Sequence, residues 1–527
     1  MGFGLSALVA AASLASPAGV QAEDTPQSGG YLVVELALRR DDDPFTVAAR
    51  EVATEVAAYH RGRVVAFDGE DWGAWRTLLR GERPEQVLFL VPPDILDLPL
   101  HRRILLASAD LDADPLPDFT WGYLTARDGD GLRALWERTL RVHEHGLKGA
   151  TWYDVAVTSG MKSRVYPGSV PPLAAAAGFE GDSIYFATVD QDADNLDFVD
   201  AQLPRLQEAA VIEFTGNGDP EGIWLFPGAR NLDRSLHWPF APERVGEDPD
   251  GVMPRVTAEF FAGLRLQTPV IWSGTCHSAA TGRVYVEGDI VSTFGRTEHA
   301  TLYRMPPERS LCLAMIDAGA VAFLAPIGAN HGMAVSRERD AVLTRGCTLG
   351  EAVKSTWDDV FLAAGGPPPL DLPIDGAPHR RGEAVMQGGG SNRILIGDPA
   401  LRPFAVTPHP TEDTRIASVE GGLDVRVSWQ PGWHPTAWDM YGGTRDADWR
   451  VIARVPLTGL VPIEAPVPDW SSIEVEAVDP DGEPLPYVLR HAVVEDWRGE
   501  RWLHLQANAP RDGVQRRGVT ATFRLRR

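Results

Sequence analysis

Residues 269–279 read P-V-I-W-S-G-T-C-H-S-A, an apolar run that ends in small and polar residues around Cys276. The run predicts a short buried strand, and the small residues after it predict a tight turn. Such a turn lets backbone N–H groups converge on one point, as an oxyanion hole requires. The stretch therefore predicts a nucleophilic thiol at the rim of a sheet. A small residue buried at a strand end is the competing interpretation of Cys276.

A second predicted strand is also followed by small and polar residues. Residues 210–214 (AVIEF) predict a buried strand, and they are followed by the turn T-G-N-G-D at residues 215–219. In a parallel α/β sheet, functional groups collect at the carboxyl ends of the strands. We therefore expect the two turns, at residues 215–219 and 273–278, to lie on the same edge of the sheet.

Strands and helices alternate on both sides of these turns. Between residues 31 and 150, apolar patterns predict strands at 31–38, 63–67 and 87–91 and helices at 45–60, 72–79 and 132–143. Residues 151–404 predict a second unit, with strands at 183–188, 210–214, 269–272 and 320–325 and helices at 198–209, 260–266, 310–318 and 349–362. This alternation is typical of an α/β fold with a mainly parallel sheet flanked by helices in two subdomains, 31–150 and 151–404.

From residue 405 the pattern changes to short alternating runs separated by Pro, Gly and Asp. Regular short strands without helices predict an antiparallel β-sandwich of the Ig-like type over residues 405–527.

Composition and charge narrow the possible partners. Acidic residues outnumber basic ones by 73 to 49, which gives a net charge of −24 and makes nucleic acid an unfavourable partner. Residues 1–22 resemble a signal peptide, with a short apolar run and small residues before a cleavage point, although no Lys or Arg precedes the run. No membrane span is expected. We therefore expect a secreted protein, extracellular, periplasmic or on the cell surface.

The chain has three cysteines, Cys276, Cys312 and Cys347. An odd and small number in an exported chain of this length argues against a disulfide framework. Cys312 lies in an apolar helical run and is expected to be core. Cys347 precedes a predicted helix, which leaves Cys276 in the most unusual setting.

Several motifs together resemble the gingipain-type cysteine peptidases, which belong to the caspase-like clan CD. The T-C-H-S segment at 275–278 is similar to the segment around the metacaspase nucleophile. D-A-G-A-V-A-F at 317–323, T-L-G-E-A at 348–352 and I-G-D-P-A-L-R-P at 396–403 resemble gingipain motifs in the same order. The acidic run at 110–114 and F-T-W-G-Y-L-T-A-R at 119–127 resemble the first gingipain subdomain. The resemblance implies a caspase-like core, a following sandwich domain and a protein or peptide substrate.

The resemblance also implies roles at single positions. Cys276 would be the nucleophile, and the backbone N–H groups of Gly218 and Cys276 would hold the oxyanion. Family members carry Gly-His-Gly at the first strand end, whereas this chain has Gly-Asn-Gly, with Asn217 at the histidine position. An amide cannot take a proton from a thiol. His331, after the strand at 320–325, is the candidate alternative base, and His277 is a weaker one.

Two acidic loops set alternate carboxylates toward one side, as Ca²⁺ sites do. They hold Asp110, Asp112 and Asp114 in one loop and Asp190, Asp192 and Asp194 in the other. Gingipain-type enzymes bind calcium, so structural Ca²⁺ is an expectation, with solvated acidic loops as the alternative. No catalytic cofactor is required.

Three functions follow from these features. The first is an exported cysteine endopeptidase acting through a Cys276 thioester. The second, favoured by Asn217, is an inactive pseudopeptidase used for binding or secretion. The third is a calcium-dependent structural protein. The sequence is silent on cleavage specificity and on oligomeric state.

Overall fold

A computed structural model describes residues 30–112, 114–156, 174–175, 177–185, 202–216, 218–224, 255–286, 301–328, 338–339, 342, 346–364, 389–404, 412–429, 449–457, 470–509 and 519–527. The proposed signal peptide (1–22), Asn217, His331 and the acidic loop with Asp190, Asp192 and Asp194 lie outside these residues. No helix in the described ranges is long and apolar enough to cross a bilayer.

The strands before residue 405 are β1 (Tyr31–Leu36), β2 (Arg63–Phe67), β3 (Gln86–Leu90), β4 (Thr120–Leu124), β5 (Thr151–Ala156), β6 (Glu180–Tyr185), β7 (Ala209–Thr215), β8 (Gly218–Asp219), β9 (Gly222–Trp224), β10 (Arg255–Thr257), β11 (Val270–Ser273), β12 (Arg283–Val286), β13 (Thr301–Arg304), β14 (Ala322–Pro326) and β15 (Arg393–Ile396). Ten of them form one mixed sheet in the order β2-β1-β3-β4-β15-β14-β11-β7-β5-β6. Most neighbours run parallel, and β15 runs antiparallel to β14. The predicted α/β class is confirmed.

Helices pack on this sheet, and several of them begin at side-chain caps. They are α1 (Pro44–His60), α2 (Trp72–Glu82), α3 (Leu98–Ser108), α4 (Gly129–His145), α5 (Ala258–Ala262), α6 (Leu311–Ala318) and α7 (Leu349–Ala364). The carboxylates of Asp43, Asp71, Asp97 and Asp128 each accept a backbone N–H of the first turn, which satisfies a donor that has no partner inside the helix. α3, which sequence periodicity did not predict, starts at such a cap.

The carboxyl ends of the two halves of the sheet meet on one edge. Thr281, just beyond the Cys276 turn, donates its hydroxyl to the carbonyl of Pro93, which follows β3, at 2.6 Å. At Gly282, a Cβ would come within 3.0 Å of the backbone of Asp94. The loops after β3 and β11 are therefore packed together, and Cys276 lies on the shared carboxyl edge.

The C-terminal part contains separate antiparallel sheets. Its strands are β16 (Glu412–Val419), β17 (Gly422–Trp429), β18 (Trp449–Pro456), β19 (Ser472–Val478), β20 (Pro484–Leu485), β21 (Val488–Trp497), β22 (Glu500–Ala509) and β23 (Val519–Arg526). One sheet has the order β16-β17-β23-β19-β20 and the other β18-β22-β21. Apolar residues of both sheets share one hydrophobic cluster, distinct from that of the α/β part. The Ig-like topology and the boundary at residue 405 stay predictions.

Candidate functional site

The turn that carries Cys276 follows β11 directly. Residues 275–279 form the turn, His277 adopts a left-handed backbone conformation with φ of +54°, and Cys276 is half-buried. The left-handed residue reverses the chain sharply, which holds Cys276 at the end of the strand and away from the continuous core. The thiol thus lies at the rim of the sheet, as the strand-then-turn pattern predicted.

The strand end after β7 lies beside this turn. The Gly274 N–H donates to the carbonyl of Phe214, near the end of β7, at 2.8 Å. A Cβ at Gly218 would lie 2.7 Å from the carbonyl oxygen of Gly222 and 3.0 Å from the Cβ of Thr275. Gly218 therefore packs against the residue that precedes Cys276, and any side chain there would separate the two turns. The structure brings the two predicted oxyanion residues together.

The end of β14 contacts the Cys276 turn on the side opposite to β7. The His277 N–H donates to the carbonyl of Gly328 at 2.8 Å, and the Ala279 N–H donates to that of Pro326 at 3.0 Å. Both acceptors belong to the end of β14 and the residues after it. The chain that leads to His331 thus starts in contact with the nucleophile turn, although His331 itself lies outside the described part of the chain.

His277, the weaker candidate base, is 1% exposed. Its neighbour Cys276 is partly exposed, so the two adjacent side chains have different environments. The burial of His277 and its left-handed backbone favour a role in shaping the turn.

The hydroxyl groups of three buried residues form hydrogen bonds with one another and with the backbone of the turn. Ser273 Oγ lies 2.6 Å from Thr275 Oγ1 and 2.9 Å from Ser278 Oγ, and all three residues are fully buried. Ser278 also donates to the carbonyl of Thr275 at 2.8 Å, and the Thr275 N–H donates to Ser273 Oγ at 3.2 Å. Because buried hydroxyls without partners are costly, this closed set of bonds favours one conformation around Cys276.

Arg393 forms a hydrogen bond with the backbone at the end of β11. Its guanidinium donates to the carbonyl of Ser273 and, at 3.2 Å, to that of Leu324, so it links β15, β14 and β11. Glu338 accepts its Nε–H at 2.8 Å, and both side chains are fully buried. The neighbouring Arg339 pairs with Glu213 of β7 at 3.1 Å, also buried. These buried ion pairs flank the nucleophile strand on both sides, and sequence reasoning missed them because pairs so distant in the chain leave no local pattern.

The other two cysteines have core environments. All three cysteines are thiols, and Cys312 and Cys347 are buried. Burial raises the pKa of Cys312 to about 12, so it is protonated and unreactive at neutral pH. The prediction that Cys312 is core is confirmed, and Cys276 is the most exposed thiol.

The first acidic loop differs from the predicted arrangement. The carboxylate of Asp110 pairs with Arg80 at 3.2 Å and with Arg76 at 3.5 Å. Asp112 and Asp114 instead lie near Asp118, which we did not predict as part of this loop. Burial raises the pKa of Asp118 most, followed by the charge of Asp112, a hydrogen bond between the side chains of Asp112 and Asp118, and the charge of Asp114. Calcium binding at this loop, and at the loop with Asp190, stays a prediction.

No family model and no curated protein matches the chain. Among solved structures, it is similar to the Arg-specific cysteine proteinase gingipain R, at 12% identity over 91% of this chain and 92% of that one, with a TM-score of 0.41. It is also similar to the complex of the pro- and mature domains of Porphyromonas gingivalis RgpB, at 12% identity over 90% and 93% of the chains, with a TM-score of 0.41. A third structure, described as a protease, aligns at 10% identity over 91% and 92%, again with a TM-score of 0.41.

Proposed function

We propose that the chain is an exported gingipain-like cysteine endopeptidase that hydrolyses peptide bonds through Cys276. One observation carries the proposal: Gly218 packs against Thr275, so that the turns after β7 and β11 form one site around a half-buried thiol. Turns at adjacent carboxyl ends supply converging backbone N–H groups, which acyl transfer needs. The buried hydroxyl set and Arg393 hold that arrangement rigid.

In the proposed reaction, the Cys276 thiolate attacks the scissile carbonyl carbon, and the carbonyl oxygen becomes an oxyanion held by the N–H groups of Gly218 and Cys276. Collapse of this intermediate breaks the C–N bond, and the amine leaves with the proton taken from the thiol. Water then attacks the thioester, releasing the carboxylic acid and restoring the thiol. The N–H groups of Gly274, Thr275 and His277 bond within the scaffold and hold the turn around Cys276.

The proton needs a carrier, and we propose His331. The contact between the His277 N–H and the Gly328 carbonyl holds the start of the loop after β14 beside the nucleophile turn. His331 follows three residues later. An unperturbed imidazole titrates near neutral pH, so a histidine in this role can both accept the thiol proton and return it to the leaving amine.

The test is alkylation of the folded, purified chain with limiting iodoacetamide, followed by peptide mass mapping, together with casein hydrolysis. We expect Cys276 to be modified first, because Cys312 is fully buried and Cys347 is 9% exposed. Cys276→Ala should reduce casein hydrolysis to the background rate, whereas the matched variant Cys347→Ala should keep it. Preferential labelling of another cysteine, or hydrolysis that survives Cys276→Ala, would contradict the proposal.

The alternative is a pseudopeptidase, which Asn217 at the position of the family histidine favours. It predicts that the natural chain does not hydrolyse casein and that Asn217→His alone creates activity that depends on Cys276. An active natural chain whose activity Cys276→Ala abolishes excludes this alternative. Loss of that activity in His331→Ala would in addition support His331 as the base.

Export is a further part of the proposal and rests on the apolar and small residues at 1–22. Expression of the full chain in a secreting host, followed by N-terminal sequencing of the secreted product, tests it. The expected new N-terminus follows Ala22.

A further inference from the structure

A second cluster of reactive side chains lies far from Cys276, on the opposite edge of the sheet. It consists of His60, the last residue of α1, His143 in the last turn of α4, and Asp398 just after β15. Tyr31, the first residue of β1, contacts the cluster, which places it at the amino end of that strand. The proposed peptidase reaction uses none of these residues.

Both imidazoles point at one carboxylate oxygen. The Nε2 atoms of His60 and His143 each lie 2.8 Å from Asp398 Oδ2, and the three atoms all lie within 4.8 Å of one another. Asp398 is fully buried, whereas the two imidazoles are each 12% exposed. The carboxylate is therefore the most buried member of the cluster, and both imidazoles are partly exposed to solvent.

The surroundings hold the three ligand atoms in position. The Tyr31 hydroxyl and the Ala400 N–H donate to the other carboxylate oxygen, Oδ1, at 2.7 and 2.8 Å. The Tyr31 ring also stacks on the His60 imidazole, with centroids 4.0 Å apart and planes 5° from parallel. Outer contacts of this kind orient the ligands at metal sites.

The donor atoms of the cluster suit a transition-metal cation. Asp398 turns Oδ2 toward both imidazoles, while its Oδ1 is bonded to Tyr31 and Ala400. The site thus offers one anionic oxygen and two imidazole nitrogens.

We propose that His60, His143 and Asp398 bind a divalent first-row transition metal ion, with Zn²⁺ as the best match. Two imidazole nitrogens and one carboxylate oxygen form a donor set that zinc accepts, with a fourth position left for water. Each imidazole would present a deprotonated Nε2, so the ion replaces the two hydrogen bonds that now join the rings to Oδ2.

Such an ion would act on the structure rather than on a substrate bound at Cys276. It would join the ends of α1 and α4, both in the first half of the sheet, to the segment after β15, which closes the sheet between its two halves. The ion would thus connect segments that are hundreds of residues apart in sequence. Because it would bind only the folded chain, it would also stabilise the fold.

The test uses the purified full chain, freed of metal by chelation and dialysis. Added Co²⁺ should produce visible absorption of tetrahedral intensity, which stoichiometric Zn²⁺ removes, and equilibrium dialysis should give one tightly bound Zn²⁺. His60→Asn and His143→Asn should each weaken Zn²⁺ binding by roughly 100-fold or more, beyond the loss expected from an outer contact. Asparagine retains a donor for Asp398, so both variants are expected to fold, and circular dichroism checks this.

His145→Asn is the matched control, because His145 lies in the same helix turn as His143 but is 69% exposed and contacts Glu144. It should bind Zn²⁺ like the natural chain. Tyr31→Phe removes only the bond to Oδ1 and should weaken binding by roughly 10-fold. Absence of Zn²⁺ binding, or binding that His60→Asn and His143→Asn leave unchanged, would overturn the proposal and leave a hydrogen-bonded cluster.

Discussion

At the scale of single residues, burial and charge repulsion act together on Asp118. Burial, followed by the charges of Asp112 and Asp114, raises the pKa of Asp118 to about 9. An aspartate in the unfolded chain has a pKa of about 3.9. Between these values the folded chain binds a proton that the unfolded chain lacks, so the stability that Asp118 contributes is lost as the pH rises toward 9.

Asp118→Asn is therefore expected to stabilise the chain at pH 8, by about 1 to 2 kcal/mol, and to have little effect at pH 4. The amide keeps an oxygen for the Leu111 N–H, which Asp118 now accepts at 3.2 Å. Thermal unfolding at both pH values, in buffer containing a chelator, measures the difference.

Asp110→Asn serves as the control, because it removes a carboxylate that is paired with two arginines. It should not stabilise the chain at either pH. An equal gain from both variants would show that general relief of negative charge, and not the environment of Asp118, causes the effect.

At the scale of secondary structure, the T-L-G-E-A segment at residues 348–352 has a structural role at the start of α7. The Thr348 N–H donates to Glu351 Oε2 at 2.7 Å, and the Glu351 N–H donates to Thr348 Oγ1 at 3.2 Å. This reciprocal pair is a capping box, and it explains the Thr and Glu of the T-L-G-E-A segment by helix initiation. A Cβ at Gly350 would lie 2.7 Å from Pro399, so the glycine permits close contact with the segment after β15.

Thr348→Ala removes one half of the capping box and is expected to destabilise the chain by about 1 kcal/mol. Chemical denaturation, compared with the natural chain at constant m-value, measures this loss. Thr54→Ala is the matched control, since Thr54 lies inside α1 and is exposed. That change should be neutral or slightly stabilising, because alanine favours helix interiors. Equal losses would argue against the cap.

At the scale of the whole molecule, a buried ionic cluster joins α7 to the C-terminal sheets. Lys354 of α7 lies 2.7 Å from Asp358 and contacts Glu495 of β21, and both carboxylates are almost fully buried. Arg454 of β18 also pairs with Glu495, at 2.9 Å. Despite burial, the charges of Lys354, His504 and Arg454 hold the pKa of Glu495 well below its ordinary value. The C-terminal part is thus attached through charge compensation.

Lys354→Met should destabilise the chain by about 3 to 5 kcal/mol, because it leaves two buried carboxylates short of a cation. Urea unfolding followed by circular dichroism measures the loss. Arg133→Met, which breaks an exposed pair with Glu51, should have a far smaller effect. The Lys354→Met loss should shrink as the pH falls far enough to protonate Glu495, and a loss independent of pH would contradict the ionic explanation.

Local sequence patterns predicted the α/β class, the small and polar residues that follow neighbouring parallel strands, and the position of Cys276 in a turn. Buried strands, capped helices and small-residue turns depend on neighbours a few residues apart, so periodicity and cap residues reveal them. We did not predict β4, β16 or α3 from the sequence, because their hydrophobic patterns are short or interrupted. The meeting of Gly218 with the Cys276 turn was predictable because parallel strands share one carboxyl edge.

Contacts between side chains that are distant in the sequence depend on the three-dimensional fold. Arg393 with Glu338, Lys354 with Glu495, and His60 and His143 with Asp398 come from segments far apart in the chain. No local period records such contacts, because they depend on the order of strands in the sheet and on which helix ends face the same edge. For the same reason the sequence presented Asp398 only as part of a motif, whereas the fold places two imidazoles on its carboxylate.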